Sequence, residues 1–274
     1  MEWYISQETL LQMLDPSDHH LADVAFVTDK KEQLPASERA LTERIIGTEL
    51  FQNWVVSPSS AKLLVHWDFR LPKTIAGVSP LSLFCANLAQ ALRGKKRFVS
   101  ALFFCGLHID PAECGGLVGG RAMLTSLIVQ LLRQHTFDTR PLHHDVNLAS
   151  LQEGNLDALT KLLVWLVRQL PQTMTLLVMI DGTFVFEREE FESEALPIFA
   201  SLIQLAGDPS VPASVKVLFT STPGTDTIRS AFEEPDLILN VDGLPRLGWA
   251  PSEERMEREL EGEIGGAIVG QGYY

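Results

Sequence analysis

Hydrophobic residues fall along this chain in two rhythms. In five short runs nearly every position is apolar: 62–67 (KLLVHW), 98–105 (FVSALFFC), 175–182 (TLLVMIDG), 215–220 (VKVLFT) and 237–241 (LILNV). The absence of polar alternation predicts strands covered on both faces, as in the interior of a parallel sheet. Between these runs the apolar positions take the helical spacing. Leu81, Phe84, Cys85, Leu88 and Leu92 make one such stripe, with Ser79 as its N-cap and Pro80 in its first turn. Further helices are expected from Gly120 to Gln134, from the cap Asn155 to Leu170, through the acidic-then-apolar stretch 186–206, and briefly at 225–233. Ile46, Leu50 and Trp54 predict one helix over 36–54, capped by Ser37. Residues 1–35 offer a single short amphipathic piece at 7–14, and 135–154 read as irregular. Strands alternating with amphipathic helices predict a doubly wound, mainly parallel five-stranded α/β domain with helices on both faces. It spans 56–245, after an N-terminal arm and helix (1–55) and before an acidic tail (246–274). The tail is expected to be a solvated helix at most, with a frayed GGAIVGQGYY end.

Composition narrows the classes. With 46% hydrophobic and 21% charged residues the chain has a globular balance. Its net charge of −13, from 22 basic and 35 acidic residues, argues against nucleic acid or an anionic membrane as partner, since both are bound through basic patches. The first residues carry neither a basic segment nor a long apolar core, and no run reaches the length of a membrane span. Three cysteines, Cys85, Cys105 and Cys114, suit a reducing, cytoplasmic setting.

Candidate chemistry centres on Asp181, which closes the central apolar run and either faces the crevice at the carboxyl ends of the strands or simply caps a loop. P-loop NTPases place a carboxylate there to hold Mg²⁺. Their phosphate loop, GxxxxGK[ST], cradles phosphates with backbone amides, reaches them with the lysine and offers the hydroxyl to the metal. After the first strand this chain has WDFRLPKT, in which Lys73 and Thr74 keep their spacing but Trp67 and Pro72 replace both glycines. Proline lacks an amide donor, and tryptophan blocks close backbone approach. A second register, Gly77-Val78-Ser79, has no lysine. Other groupings are weaker. Cys105, His108, Asp110 and Cys114 fit no closed zinc spacing. His143 and His144 lie in a polar loop, and TSTPGTD lacks the G-x-S-x-G frame. Glu187, Glu189, Glu190, Glu192 and Glu194 read as a solvated face.

The order LLVHWDF, SPLSLFCANLAQAL, VSALFFCG, GGRAMLTSLIVQLL, LLVMIDG, VKVLFTSTPG resembles the NTPase core of fungal STAND-class proteins of the NACHT type, over about residues 51–243. The resemblance implies strand order 5-1-4-3-2, an aspartate ending the third strand, matched by Asp181, and a polar sensor ending the fourth, matched by Thr220 and Ser221. Three departures stand out: the phosphate loop lacks its glycines, Gly182 and Thr183 replace the second acid, and Thr222 stands where the sensor often has arginine. The expectation is a degenerate NTPase-like domain serving as a regulatory or interaction module, through a protein partner or self-association. Two alternatives stay open. One is a nucleotide switch or weak ATPase in which Lys73, Thr74, Ser79, Asp181, Thr220 and Ser221 bind Mg·ATP, with Asp181 on the Mg²⁺. The other is an enzyme that reuses the same crevice for different chemistry.

Overall fold

The five apolar runs form one sheet of strands β1 (Ala61–His66), β2 (Phe98–Phe104), β3 (Thr175–Asp181), β4 (Ser214–Ser221) and β5 (Ile238–Asn240). Every pairing is parallel, and the order β2-β3-β4-β1-β5 is the expected one counted from the other edge. The computed structural model describes residues 5–14, 19–67, 73–224, 226–232, 234, 237–245, 252, 254–256 and 258–262.

Side-chain alternation explains why the strands are apolar throughout. Along β3, Leu176, Val178 and Ile180 enter one core while Leu177 and Met179 enter the other. The first core packs the sheet against α1 (Gln7–Leu14), α6 (Gly119–Gln134), α9 (Leu156–Gln169) and α10 (Glu192–Leu205). The second packs it against α2 (His19–Asp29), α3 (Ala36–Glu43), α4 (Glu49–Val56) and α5 (Pro80–Leu92). Short helices α7 (Leu142–Asp145), α8 (Leu148–Gln152) and α11 (Asp226–Ser230) fill connections. The same alternation turns Asp181 and Thr220 toward α5, and turns their neighbours Ser221 and His66 toward the opposite face.

Several elements depart from expectation. The helix expected over 36–54 is two helices, because a turn at 44–47 ends α3 and Thr48 starts α4 by accepting the Phe51 amide on its hydroxyl at 3.2 Å. Pro35, not Ser37, precedes α3, and no side chain caps it. Helix α2 was hidden because it buries only Val24 and Val27, too few for a stripe. The helix over 186–206 begins only at Glu192, and helices α7 and α8 lie within the stretch read as irregular. The acidic tail is more than a solvated helix. Helical residues 254–256 and 258–262 carry Met256 and Leu260 into the second core, and Arg255 pairs with Glu43 at 2.7 Å. The terminal GGAIVGQGYY lies outside the described residues.

Strand β2 lies at one edge of the sheet, where unpaired backbone groups invite another strand. Helix α6 closes this edge with two glutamines one turn apart. Gln130 accepts the Leu102 amide at 2.9 Å and donates to the Leu102 carbonyl at 2.8 Å. Gln134 does the same for Ser100, at 3.0 and 2.6 Å. Each side chain thus stands in for a residue of a missing strand. Replacing Gln130 with leucine leaves two buried backbone groups without these partners and is expected to cost about 2–4 kcal/mol. Urea unfolding measures it; a loss below about 0.5 kcal/mol would mean that water serves this edge equally well.

Candidate functional site

Asp181 is 3% exposed, and each carboxylate oxygen receives a hydroxyl. Ser82, in the first turn of α5, donates to Oδ2 at 2.6 Å, and Thr220 at the end of β4 donates to Oδ1 at 2.6 Å. Both hydroxyls are anchored from behind. The Ser82 hydroxyl accepts the Ser79 amide at 2.9 Å as half of a capping box, while the Ser79 hydroxyl accepts the Ser82 amide at 3.2 Å. Thr220 accepts the Gly182 amide at 2.9 Å, a direction the chain reaches because Gly182 has φ +70°. The Thr183 hydroxyl then bonds the Thr220 carbonyl at 2.9 Å. Burial pushes the Asp181 carboxyl above the ordinary aspartate value, and the Ser82 and Thr220 bonds pull it partly back. Burial first, and the Asp181 charge second, push the Cys85 and Cys105 thiols well up, so neither is a ready thiolate.

Ser82 is the residue that sequence reasoning missed. In a P-loop, the hydroxyl after the lysine and the strand-end aspartate address one Mg²⁺ together, which is the pairing Ser82 and Asp181 make here. Counting back from Ser82 along GxxxxGK[ST] puts Leu81 at the lysine, Pro80 at the second glycine and Ile75 at the first. Leu81 is 1% exposed. The intervening loop is a tight hairpin in which the Ile75 and Val78 amides bond each other's carbonyls at 2.9 and 3.0 Å. Ala76 and Gly77 turn it with φ +50° and +78°. Gly77 lies so close to the loop after β2 that a Cβ on it would stand 2.4 Å from the Gly106 carbonyl oxygen. Of the amides that would ring a phosphate, that of Val78 is engaged within the hairpin, those of Ser79 and Ser82 are engaged in the capping box, and Pro80 has none. The residues present do not fit Mg·ATP.

The other expected site residues scatter. Lys73 and Thr74 are exposed ahead of the hairpin, and the Lys73 amide bonds Glu38 of α3 at 3.0 Å, so they do not form the first turn of α5. Asp68 to Pro72, and with them most of the WDFRLPKT loop, lie outside the described residues; Trp67 is buried. Ser79 caps α5 and touches Asp181 only through Ser82. Thr220 bonds Asp181, but Ser221 belongs to a separate group on the far face. There His66 Nδ1 meets the Ser221 hydroxyl at 2.6 Å, and Nε2 meets the Arg229 guanidinium at 3.0 Å. A guanidinium only donates, so Nε2 accepts and the ring proton on Nδ1 faces Ser221.

No protein-family model matches the chain, and no curated protein matches it. Among the described residues, no helix is long and apolar enough to cross a membrane, and no group of three or more His, Cys, Asp or Glu is placed to hold a metal ion. Of the grouping Cys105, His108, Asp110 and Cys114, which fits no zinc spacing, three members have separate partners: His108 bonds Asp23 at 2.9 Å, Cys114 donates to the Leu107 carbonyl at 2.9 Å, and Asp110 accepts the Ala112 amide at 2.8 Å. Two of the five glutamates are not simply solvated. Glu187 accepts the Ile228 amide at 2.7 Å at the start of α11, and Glu194 accepts the Gly120 amide at 3.2 Å at the start of α6.

Proposed function

We propose that this chain is a P-loop-like domain of the NACHT/STAND type that has lost nucleotide hydrolysis and acts as a regulatory or protein-interaction module, binding another protein or a second copy of itself. The observation that carries this reading is the buried Leu81 in the lysine position, one residue before the serine that bonds Asp181. Without that lysine no fixed cation meets the β- and γ-phosphates, and phosphoryl transfer depends almost wholly on such positioning and charge. Pro80 and the hairpin at 75–78 support it further, because they leave few amides for an anion. The sheet order and the strand-end aspartate fit the resemblance in the sequence, which rests on motif order and not on a preserved phosphate loop.

Calorimetric titration with Mg·ATP tests the proposal. The expected result is no saturable heat up to millimolar nucleotide. Micromolar binding that disappears in Lys73→Ala would overturn it in favour of a nucleotide switch that recruits Lys73 from outside the loop. Lys73 is exposed, so that variant leaves the core intact.

A further inference from the structure

A cavity of about 780 Å³ opens between α2, the hairpin at 75–78, the loop after β2 and the start of α6. Its size lies in the range of small-molecule sites. Two features set its walls apart. First, Phe26 and Ile109, which line it, are 39% and 41% exposed; among the described residues Leu21, at 38%, is the one other large apolar side chain left so open. Exposed apolar groups collected on one concave wall mark a binding surface more than scattered ones do. Second, the charged lining is acidic. Asp110 and Glu113 stand exposed at the rim, and Asp23 lies deeper, bonded to His108 at 2.9 Å; among the described residues no lysine or arginine lines the cavity. His108 is fixed in the wall by stacking on Phe103, with ring centres 4.7 Å apart. The Phe26 ring already holds one cation, the Lys30 ammonium, 5.0 Å from its centre.

We infer that this cavity binds a small organic cation, an ammonium group carried on an apolar body. The apolar body lies against Phe26, Ile109 and Leu117, and the ammonium faces Asp110 and Glu113. A phosphate-bearing ligand would meet these carboxylates, and among the described residues no lysine or arginine of the lining offsets them, so the lining favours an amine over a nucleotide. The inference goes beyond the loss of nucleotide chemistry and stands whether or not that proposal holds.

The test is a titration of the full ¹⁵N-labelled chain with phenethylammonium, and in parallel with phenylacetate and phenethyl alcohol as the charge-reversed and neutral shapes. Phenethylammonium should shift the amides of Ala22, Gly77 and Gly106 and bind at least about tenfold more tightly than phenylacetate. The double variant Asp110→Asn, Glu113→Gln should weaken the amine about fivefold and leave phenethyl alcohol unchanged. Equal affinity for all three probes, amine shifts confined to other residues, or no shifts at millimolar amine would each overturn the inference. A parallel Mg·ATP titration keeps the two proposals apart: nucleotide binding contradicts the proposed function, whereas loss of amine selectivity contradicts only this site.

Discussion

Replacing Thr220 with valine lowers stability by about 3–5 kcal/mol at pH 7, because one nearly isosteric change leaves two buried groups without their partner. The hydroxyl donates to Asp181 Oδ1 and accepts the Gly182 amide, and neither group has water at hand in a pocket where Asp181 is 3% exposed. The loss should depend on pH, with a sign fixed by linkage. Burial raises the Asp181 carboxyl above its ordinary value of 3.8, while the Ser82 and Thr220 bonds lower it. A folded pKa above the unfolded one means that the native state holds more protons across the window from 3.8 up to the raised value. Stability is therefore greatest below that window and falls as pH rises through it. Removing the Thr220 bond lifts the folded value further and widens the window upward. Urea unfolding of both proteins near pH 4 and pH 7 should thus give a smaller deficit for the variant in acid. A deficit independent of pH would mean that the hydroxyl matters only to Gly182. Ser82→Ala acts on the other oxygen, and the two changes should couple through the shared carboxylate, which a double-mutant cycle reads directly.

What the sequence disclosed, and what it hid, follows from which interactions are local. Strand β3 and its terminal aspartate were legible because an unbroken apolar run has one good explanation, a strand covered on both faces. The Ser79 cap and Pro80 were legible because capping is decided within one turn. Ser82 was not. A phosphate loop is recognised by its lysine, and the lysine at that spacing, Lys73, precedes a hairpin that displaces the helix start by several residues. A better signal was the hydroxyl itself, the second serine of SPLS in the first turn after β1. Thr220 and Ser221 looked like one site because they are adjacent, yet adjacency in a strand means opposite faces, so only Thr220 reaches Asp181. Gln130 and Gln134 could not be assigned at all without the strand order, since their partners are backbone groups that exist only because β2 is an edge. The cavity beside α2 was equally hidden, because its walls come from segments far apart in the chain.

Lys216 is the second buried charge of the sheet, and its removal should strengthen the fold. It lies near the amino end of β4 on the face toward the second core, fully buried, with its ammonium donating to the Ser59 carbonyl at 2.6 Å. Asp181, on the same face, offers no compensation. Lys216 is in register with Leu177, four residues before Asp181, a separation of roughly 13 Å at about 3.3 Å per residue. Burial lowers the ammonium from 10.5 to about 8. With the folded pKa below the unfolded one, the unfolded chain holds more protons between pH 8 and 10.5, so stability rises through that window. As pH falls from 10.5 to about 8 that stability is lost, and below it the native state carries the full penalty of a desolvated cation. Lys216→Met fills the same slot without charge and should be more stable than the parent by about 1–3 kcal/mol at pH 7, the lost Ser59 bond offsetting part of the gain. The advantage should shrink steadily between pH 8 and 10.5, as the parent sheds its proton and the variant has none to shed. Unfolding curves for both proteins at pH 7, 9 and 10.5 decide the matter. A variant that is weaker at pH 7, or a difference that stays flat across the window, would show that the Ser59 contact stabilises the ammonium more than burial penalises it.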